Sequence, residues 1–252
     1  MPRFCANLTF LFTEVPMLDR PEAAARAGFE AVEILFPYDE PAAALAERAR
    51  LAGVPVALIN TPPPNWTGGD RGFAAVPGGE ARFRSDFDRA LRFARVLKAR
   101  HLHVMAGKAE GPEARATYLR NLAWAAERAP GQSLTIEPIN PHDMPGYFLN
   151  DFPAALEILA EVGAPNLRLQ FDAYHAQMIH GDAMAVWEAC RDRTVHVQIA
   201  GVPGRHEPAG GEIDYPAFFA ALDVGGYAGW VSAEYTPAGR TEDGLDWMRA
   251  GS

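Results

Sequence analysis

The sequence predicts a single-domain (β/α)8 barrel over residues 1–252. Three observations carry this. Short apolar stretches alternate with amphipathic ones eight times along the chain. Several amphipathic stretches finish on glycine (Gly28, Gly53, Gly163), the residue that commonly follows a helix end. The longest connections follow strands, and in a barrel that is the end at which binding loops gather.

The elements follow in order. RFCANL (3–8) opens the barrel, and PEAAARAG (21–28) is the first helix. EAVEIL (30–35) is the second strand, followed by the helix EPAAALAERARLAG (40–53). PVALIN (55–60) is the third strand. The arginine-rich stretch at 82–100, RFRSDFDRALRFARVLKAR, has apolar residues at helical spacing, so its charges lie on the outer face of an amphipathic helix. HLHVMA (101–106), LTIEPI (134–139), LRLQFD (167–172), VHVQIA (195–200) and WVSAEY (230–235) are strands four to eight. Between them lie helices at 114–129, 151–163, 183–192 and 215–226. An open doubly wound sheet shares this alternation. No GxGxxG follows the first strand, so its dinucleotide-binding form has no support.

With 48% apolar residues the chain can bury a sizeable core, and no apolar run reaches the roughly 20 residues that span a bilayer. The N-terminus lacks the basic start and cleavage site of a signal peptide. Two distant cysteines, Cys5 and Cys190, make no CxxC pair, which fits a reducing cytoplasm with both thiols buried. A formal net charge of −9 excludes non-specific nucleic-acid and membrane binding as expected roles.

Four consecutive strands deliver an oxygen-bearing side chain at or near the C-terminal end: Glu137, Asp172, Gln198 and Glu234. Pro138 stops strand five directly after Glu137. Clustering three buried carboxylates is costly unless a cation neutralises them. Oxygen donors without a cysteine cluster suit Mg2+ or Mn2+. Each carboxylate taken singly has the alternative of a helix cap or an ion-pair partner.

Among the histidines, His175 is the one expected at the mouth, three residues beyond Asp172. His196 shares the face of Gln198, and either imidazole can serve as a hydrogen-bonding group behind the ligands. His101 and His103 are expected at the wrong end of strand four for chemistry, and His142, His180 and His206 in loops. Glu33 is either a mouth residue or a buried ion-pair partner. The long connections are 60–80 and 200–214. In the first, Arg71 is a candidate partner for a substrate carboxylate, and Trp66 and Phe73 either cover a substrate or anchor the loop. In the second, Arg205 is a further candidate substrate contact.

At this point the sequence resembles the hydroxypyruvate isomerase family, within the xylose isomerase-like TIM barrels. The resemblance rests on RFCANLTFLF, VEILFPYD, GDRGFAAVPG, IEPINPHDMPGY, LQFDAYHAQ, HVQIAGVPGRHEPAGGEIDY and EYTPAGRTEDGLDWM, which together span the chain. It implies one divalent metal, Mg2+ or Mn2+, held by Glu137, Asp172, Gln198 and Glu234, with Glu137 and Glu234 also the acid/base pair. The implied substrates are small hydroxy-oxo acids, interconverted by proton transfer through an enediolate, as between hydroxypyruvate and tartronate semialdehyde. A metal-assisted hydride shift is the alternative route. The family also implies a cytoplasmic enzyme of glyoxylate metabolism and a homo-oligomer.

Three positions depart from the family pattern: Thr236 stands where EYKP has lysine, Gly201 where an Asp follows QIA, and GEID replaces GEIN. Loss of a cation near the mouth would point to a four-carbon 2-oxo acid or a neutral ketose. A ketose 3-epimerase or other small-sugar isomerase is therefore the competing enzyme. A nuclease would need more histidines and a basic groove. A non-catalytic binding barrel would have lost a ligand or acid/base carboxylate, and none is lost.

Overall fold

The computed structural model describes residues 2–62 and 71–250. Its strands are β1 Arg3–Asn7, β2 Ala31–Glu33, β3 Leu58–Asn60, β4 His101–His103, β5 Ser133–Ile136, β6 Leu167–Asp172, β7 Thr194–Ile199 and β8 Trp230–Ala233. All paired strands run parallel, in the order β2-β1-β8-β7-β6-β5-β4-β3. The two ends of that order meet. Val32 bridges Val56 in parallel, and the Ala57 and Ile34 amides donate to the Val32 and Leu58 carbonyls at 2.7 and 3.1 Å. The sheet is therefore a closed barrel and not the open doubly wound alternative.

The helices are α1 Arg20–Arg26, α2 Ala42–Ala52, α3 Glu80–Leu97, α4 Gly111–Arg128, α5 Phe152–Val162, α6 Ala173–His180, α7 Ala183–Cys190, α8 Tyr215–Val224 and α9 Trp247–Ala250. Gly53 and Gly163 end α2 and α5 in the left-handed region, at φ 75° and 64°, where a Cβ would be strained. Asp151, Asp182 and Asp214 cap α5, α7 and α8 by accepting from the amides of Ala154, Ala185 and Ala217. In α3 the buried residues are Phe83, Phe87, Ala90, Leu91, Ala94 and Leu97, at helical spacing, while Arg82 and Asp86 pair on the outer side. Helix α6 is an addition to the expected pattern: strand six passes directly into it, with no loop between. No helix among the described residues is long and apolar enough to cross a membrane.

Most of the apolar core lies between barrel and helices. A separate small cluster of Cys5, Ala31, Ala57 and Trp230 fills the N-terminal end of the barrel. Above it the interior turns polar: Asn7, Glu33, His103, Thr135, Asp172, His196, Gln198 and Ser232 are all fully buried. Buried polar side chains on this scale must satisfy one another, and that requirement builds the site. Both cysteines are free and buried, and burial pushes their thiols up, as inert structural residues require.

Candidate active site

Each strand carries a polar residue within one position of its C-terminal end: Asn7, Glu33, Asn60, His103, Glu137, Asp172, Gln198 and Glu234. Alternation along each strand turns these residues to one side, and closure of the barrel brings them together. A cavity of about 340 Å3 opens above them, lined in part by Phe10, Arg71, Glu137, His175, Arg205 and Glu234. Of the candidate residues, Glu137, Glu234, His175, Arg71 and Arg205 thus share one cavity. Asp172 and Gln198 lie buried in its floor.

Two amides join the glutamates. Gln170 Nε2 donates to Glu137 Oε2 at 3.0 Å and to Gln198 Oε1 at 2.8 Å. Gln198 Nε2 donates in turn to Glu33 Oε1 at 2.9 Å and to Glu234 Oε2. Asn7 Nδ2 bridges the same two carboxylates, at 2.7 Å from Glu33 and 3.0 Å from Glu234. Glu33 also meets His196 Nε2 at 2.6 Å and is fully buried, which makes it a buried partner rather than a residue of the mouth.

Asp172 does two jobs. Its Oδ1 accepts from the Tyr174 amide at 2.8 Å and starts α6, which swings His175 over the site. Its Oδ2 lies 3.5 Å from His175 Nε2 and from Arg205 Nη2. The Asn140 side-chain amide lies 2.7 Å from His175 Nδ1, and the Asn140 backbone N–H donates there at 3.4 Å. Two donors at Nδ1 leave the ring proton on Nε2, facing Asp172 and, at 3.9 Å, Glu137. His175 is thereby set up as a donor.

Electrostatics follow from burial. Burial pushes Glu137 well above the ordinary carboxylate range, and Glu234 and Asp172 add to it by repulsion. Glu234 is likewise raised by burial, against the pull of Arg205, with Glu33 and Asp172 adding to the rise. Asp172 is pushed up to about 6 by burial, with Arg205 and the Tyr174 and His175 amides opposing. At Glu33 burial acts upward too, but His196 and the Gln198 and Ser232 donors outweigh it and hold the carboxyl low. Arg205 reaches the cluster at 2.7 Å from Glu234 Oε1 and lies over the Tyr174 ring at 4.9 Å.

His103 corrects one expectation. It is not remote from the chemistry: its Nδ1 lies 3.6 Å from Glu137 Oε2, because β4 is only three residues long and its end is already at the floor of the site. Burial lowers it to about 3, so it is neutral there. His101, by contrast, pairs with Ser133 Oγ at 2.9 Å, a structural contact. Thr236 is also corrected. Its side chain is exposed and does not line the cavity, while its backbone ties down the 200–214 loop by accepting from His206 and donating to Arg205 O at 3.0 Å. Gly201 is required sterically, since a Cβ there would stand 2.5 Å from Glu207 O. Phe73 packs against the core, and Trp66 lies outside the described residues.

The residues that the sequence did not reveal are Asn7, Asn140 and Gln170. Gln170 stands two residues before Asp172, on the same strand face, and was within reach of the alternation, whereas Asn7 follows the apolar Cys5 on its face. A buried group of Glu137, Asp172 and His175 has ligand atoms all within 4.8 Å of one another, the spacing of a cation site.

The chain is similar to known proteins along nearly its whole length. A 2-oxo-tetronate isomerase of Cupriavidus necator is 49% identical over 99% of this chain and 98% of its own length. The hydroxypyruvate isomerase of Escherichia coli is 39% identical over 98% of each. A crystal structure from Brucella melitensis, described as an AP endonuclease of family 2, superposes with a TM-score of 0.95 at 44% identity, covering 99% of this chain and 98% of that one. Residues 21–251 match the family described as xylose isomerase-like TIM barrel, and the chain belongs to that family.

Proposed function

We propose that the protein is a metal-dependent isomerase of small hydroxy-oxo acids, acting on hydroxypyruvate or its four-carbon counterpart 2-oxo-tetronate. The observation that carries this reading is the placing of Arg71 in one cavity with Glu137 and Glu234. Arg71 Nη1 is buried with no hydrogen-bond partner among the described residues. A buried guanidinium nitrogen without a partner is matched by a substrate carboxylate oxygen. The second cavity arginine, Arg205, is already shared among Glu234, Asp172 and Asp143, the last at 3.8 Å. Arg71 therefore favours an acid over a neutral ketose, and the relatives named above are isomerases of such acids.

The residues present fit a divalent cation. Glu33, Glu137, Asp172 and Glu234 crowd four buried carboxyl groups together, and burial with mutual repulsion raises Glu137, Asp172 and Glu234. Glu137, Asp172, Gln198 and Glu234 would hold the ion through oxygen, as Mg2+ or Mn2+ prefers. When bound, such an ion polarises a carbonyl and offsets charge on an enediolate oxygen.

The chain supplies the rest. Arg71 holds the carboxylate end of the substrate. His175 Nε2–H faces the cluster as a donor to a substrate oxygen. One of Glu137 and Glu234 takes the proton from the hydroxyl-bearing carbon, and it or its counterpart returns a proton to the neighbouring carbonyl carbon, while the hydroxyl proton passes to the former carbonyl oxygen. The hydroxyl carbon is oxidised as the carbonyl carbon is reduced, so no outside redox partner is needed. Phe10, Met105, Ile139 and Met144 line the cavity and exclude water from the intermediate.

The test is to incubate metal-depleted protein with each acid, with and without Mn2+ or Mg2+, and follow product by NMR. Metal-dependent conversion of either acid is the expected result. Conversion of a neutral ketose in preference to both acids would overturn the reading.

A further inference from the structure

We propose that Glu33 is a positioning residue: it fixes which end of the Gln198 amide faces the candidate cation site. The inference rests on the reading of Gln198 as a metal ligand given above.

An amide can ligate a cation through its carbonyl oxygen but not through its nitrogen, and the two ends are nearly the same size. Something must therefore choose between two rotations of the Gln198 side chain. Glu33 is fully buried and accepts at both oxygens, from Asn7 at 2.7 Å and Gln198 at 2.9 Å on Oε1, with His196 at 2.6 Å from Oε2. With donors on both oxygens it has no hydrogen to give, so the NH2 end of Gln198 must face it. The same nitrogen meets Glu234 Oε2.

At the other end, Gln198 Oε1 accepts from Gln170 Nε2 at 2.8 Å, and that nitrogen also serves Glu137 Oε2 at 3.0 Å. Gln170 is itself oriented, because its Oε1 accepts from Thr135 Oγ1 at 3.1 Å. The carbonyl of Gln198 is thus turned to the Glu137 side. A reversed amide would set oxygen against two carboxylates and nitrogen against nitrogen, losing three contacts at once.

The experiment is Mn2+ binding followed by electron paramagnetic resonance on wild type, Glu33→Gln and the exchange variant Glu33→Gln/Gln198→Glu, with folding checked by thermal melts. A glutamine side chain at position 33 can donate as well as accept, so one of the three contacts that select the rotation is lost while those of Glu234 and Gln170 remain. Glu33→Gln is expected to weaken Mn2+ binding about 10- to 100-fold, the usual effect of losing an outer-shell partner. In the exchange variant the carboxylate at position 198 offers oxygen in either rotation, and the amide at position 33 donates to it. Most of the lost affinity therefore returns. If Glu33→Gln does not fold, Glu33→Asp replaces it. That variant keeps the charge opposite His196 but withdraws the acceptor, and the same direction of loss is expected.

Unchanged Mn2+ affinity in the folded single variant, or an exchange variant no better than the single one, overturns the inference. Wild-type protein that takes up no Mn2+ overturns the metal reading beneath it, and the inference falls with it.

Discussion

Asn7 and Glu234 stand 227 residues apart in the chain and are joined by a 3.0 Å hydrogen bond in the floor of the site. Asn7 ends the first strand and Glu234 follows the last, and the same amide nitrogen reaches Glu33 at the end of the second strand. The contact exists only because β1 pairs with both β2 and β8. Closing the barrel and building the site are therefore one event: a chain whose first strand is displaced loses the donor shared by two buried carboxylates.

Replacing Asn7 by Leu keeps the approximate volume and removes that donor. Two buried oxygens lose a partner, each at a cost of about 1–3 kcal/mol. The expected outcome is a loss of about 2–5 kcal/mol in unfolding free energy, read by urea denaturation of the metal-free protein. A loss below about 1 kcal/mol would mean that the two carboxylates find other donors, and the shared amide would not be a structural requirement.

Glu137→Gln and Glu234→Gln each keep the shape of the site and remove the group that carries the proton. Turnover is expected to fall at least about 100-fold in either variant, while the melt shows an intact fold. Running wild type in D2O separates the two routes. Deuterium on carbon in the product supports transfer through the glutamates, and product free of carbon-bound deuterium supports a hydride shift or a transfer shielded from solvent.

The two positions suspected of setting the substrate behave differently in the structure. Arg71 lines the cavity, so Arg71→Met removes a charge-assisted hydrogen bond of about 1.5–3 kcal/mol and should raise KM for the acid roughly 10- to 100-fold. Thr236 points its side chain to solvent, so Thr236→Lys should leave KM within about twofold, as surface changes usually do. Initial-rate kinetics on the two variants check both. The reverse pattern would place the carboxylate beside position 236, after β8, instead.

How much of this was legible in the sequence depends on what each residue answers to. The eight strands answer to alternation and hydrophobicity, which are local, and all eight were read within a few residues. Glu137, Asp172, Gln198 and Glu234 were visible because each is an oxygen donor that interrupts an apolar strand. Asn7 and His103 end strands in the same way, but their partners lie on other strands and are set by shear and closure, which no local window contains. Helix α6 was hidden for a related reason: Asp172 serves both as strand end and as helix cap, so the boundary leaves no loop to mark it. Gly201 looked like a lost carboxylate, yet the space beside it is taken by Glu207 O, a fact fixed by the fold of the loop.

The raised glutamates make a prediction about pH that separates metal from protein. Glu137 and Glu234 keep their protons in the fold to well above the ordinary 4.5, burial being the first cause in both. Their contribution is complete below the unfolded carboxylate value and is lost as pH rises through the folded values. Asp172, at about 6, follows the same sign and is largely spent first. The histidines run the other way. Burial holds His101 near 2 and His103 near 3, so their contribution is full above the unfolded value of 6.5 and is lost as pH falls below it. Above about pH 7.5 the unfolded histidines are neutral as well, and the slope belongs to the two glutamates for as long as their folded values are being crossed. Metal-free protein should therefore melt at a falling temperature across that range. The increment given by Mn2+ should grow with pH, because the ion binds the deprotonated carboxylates. A melting temperature flat in pH, with a constant Mn2+ increment, would show that Glu137 and Glu234 ionise as ordinary carboxylates and that their crowding is relieved by something other than protons or metal.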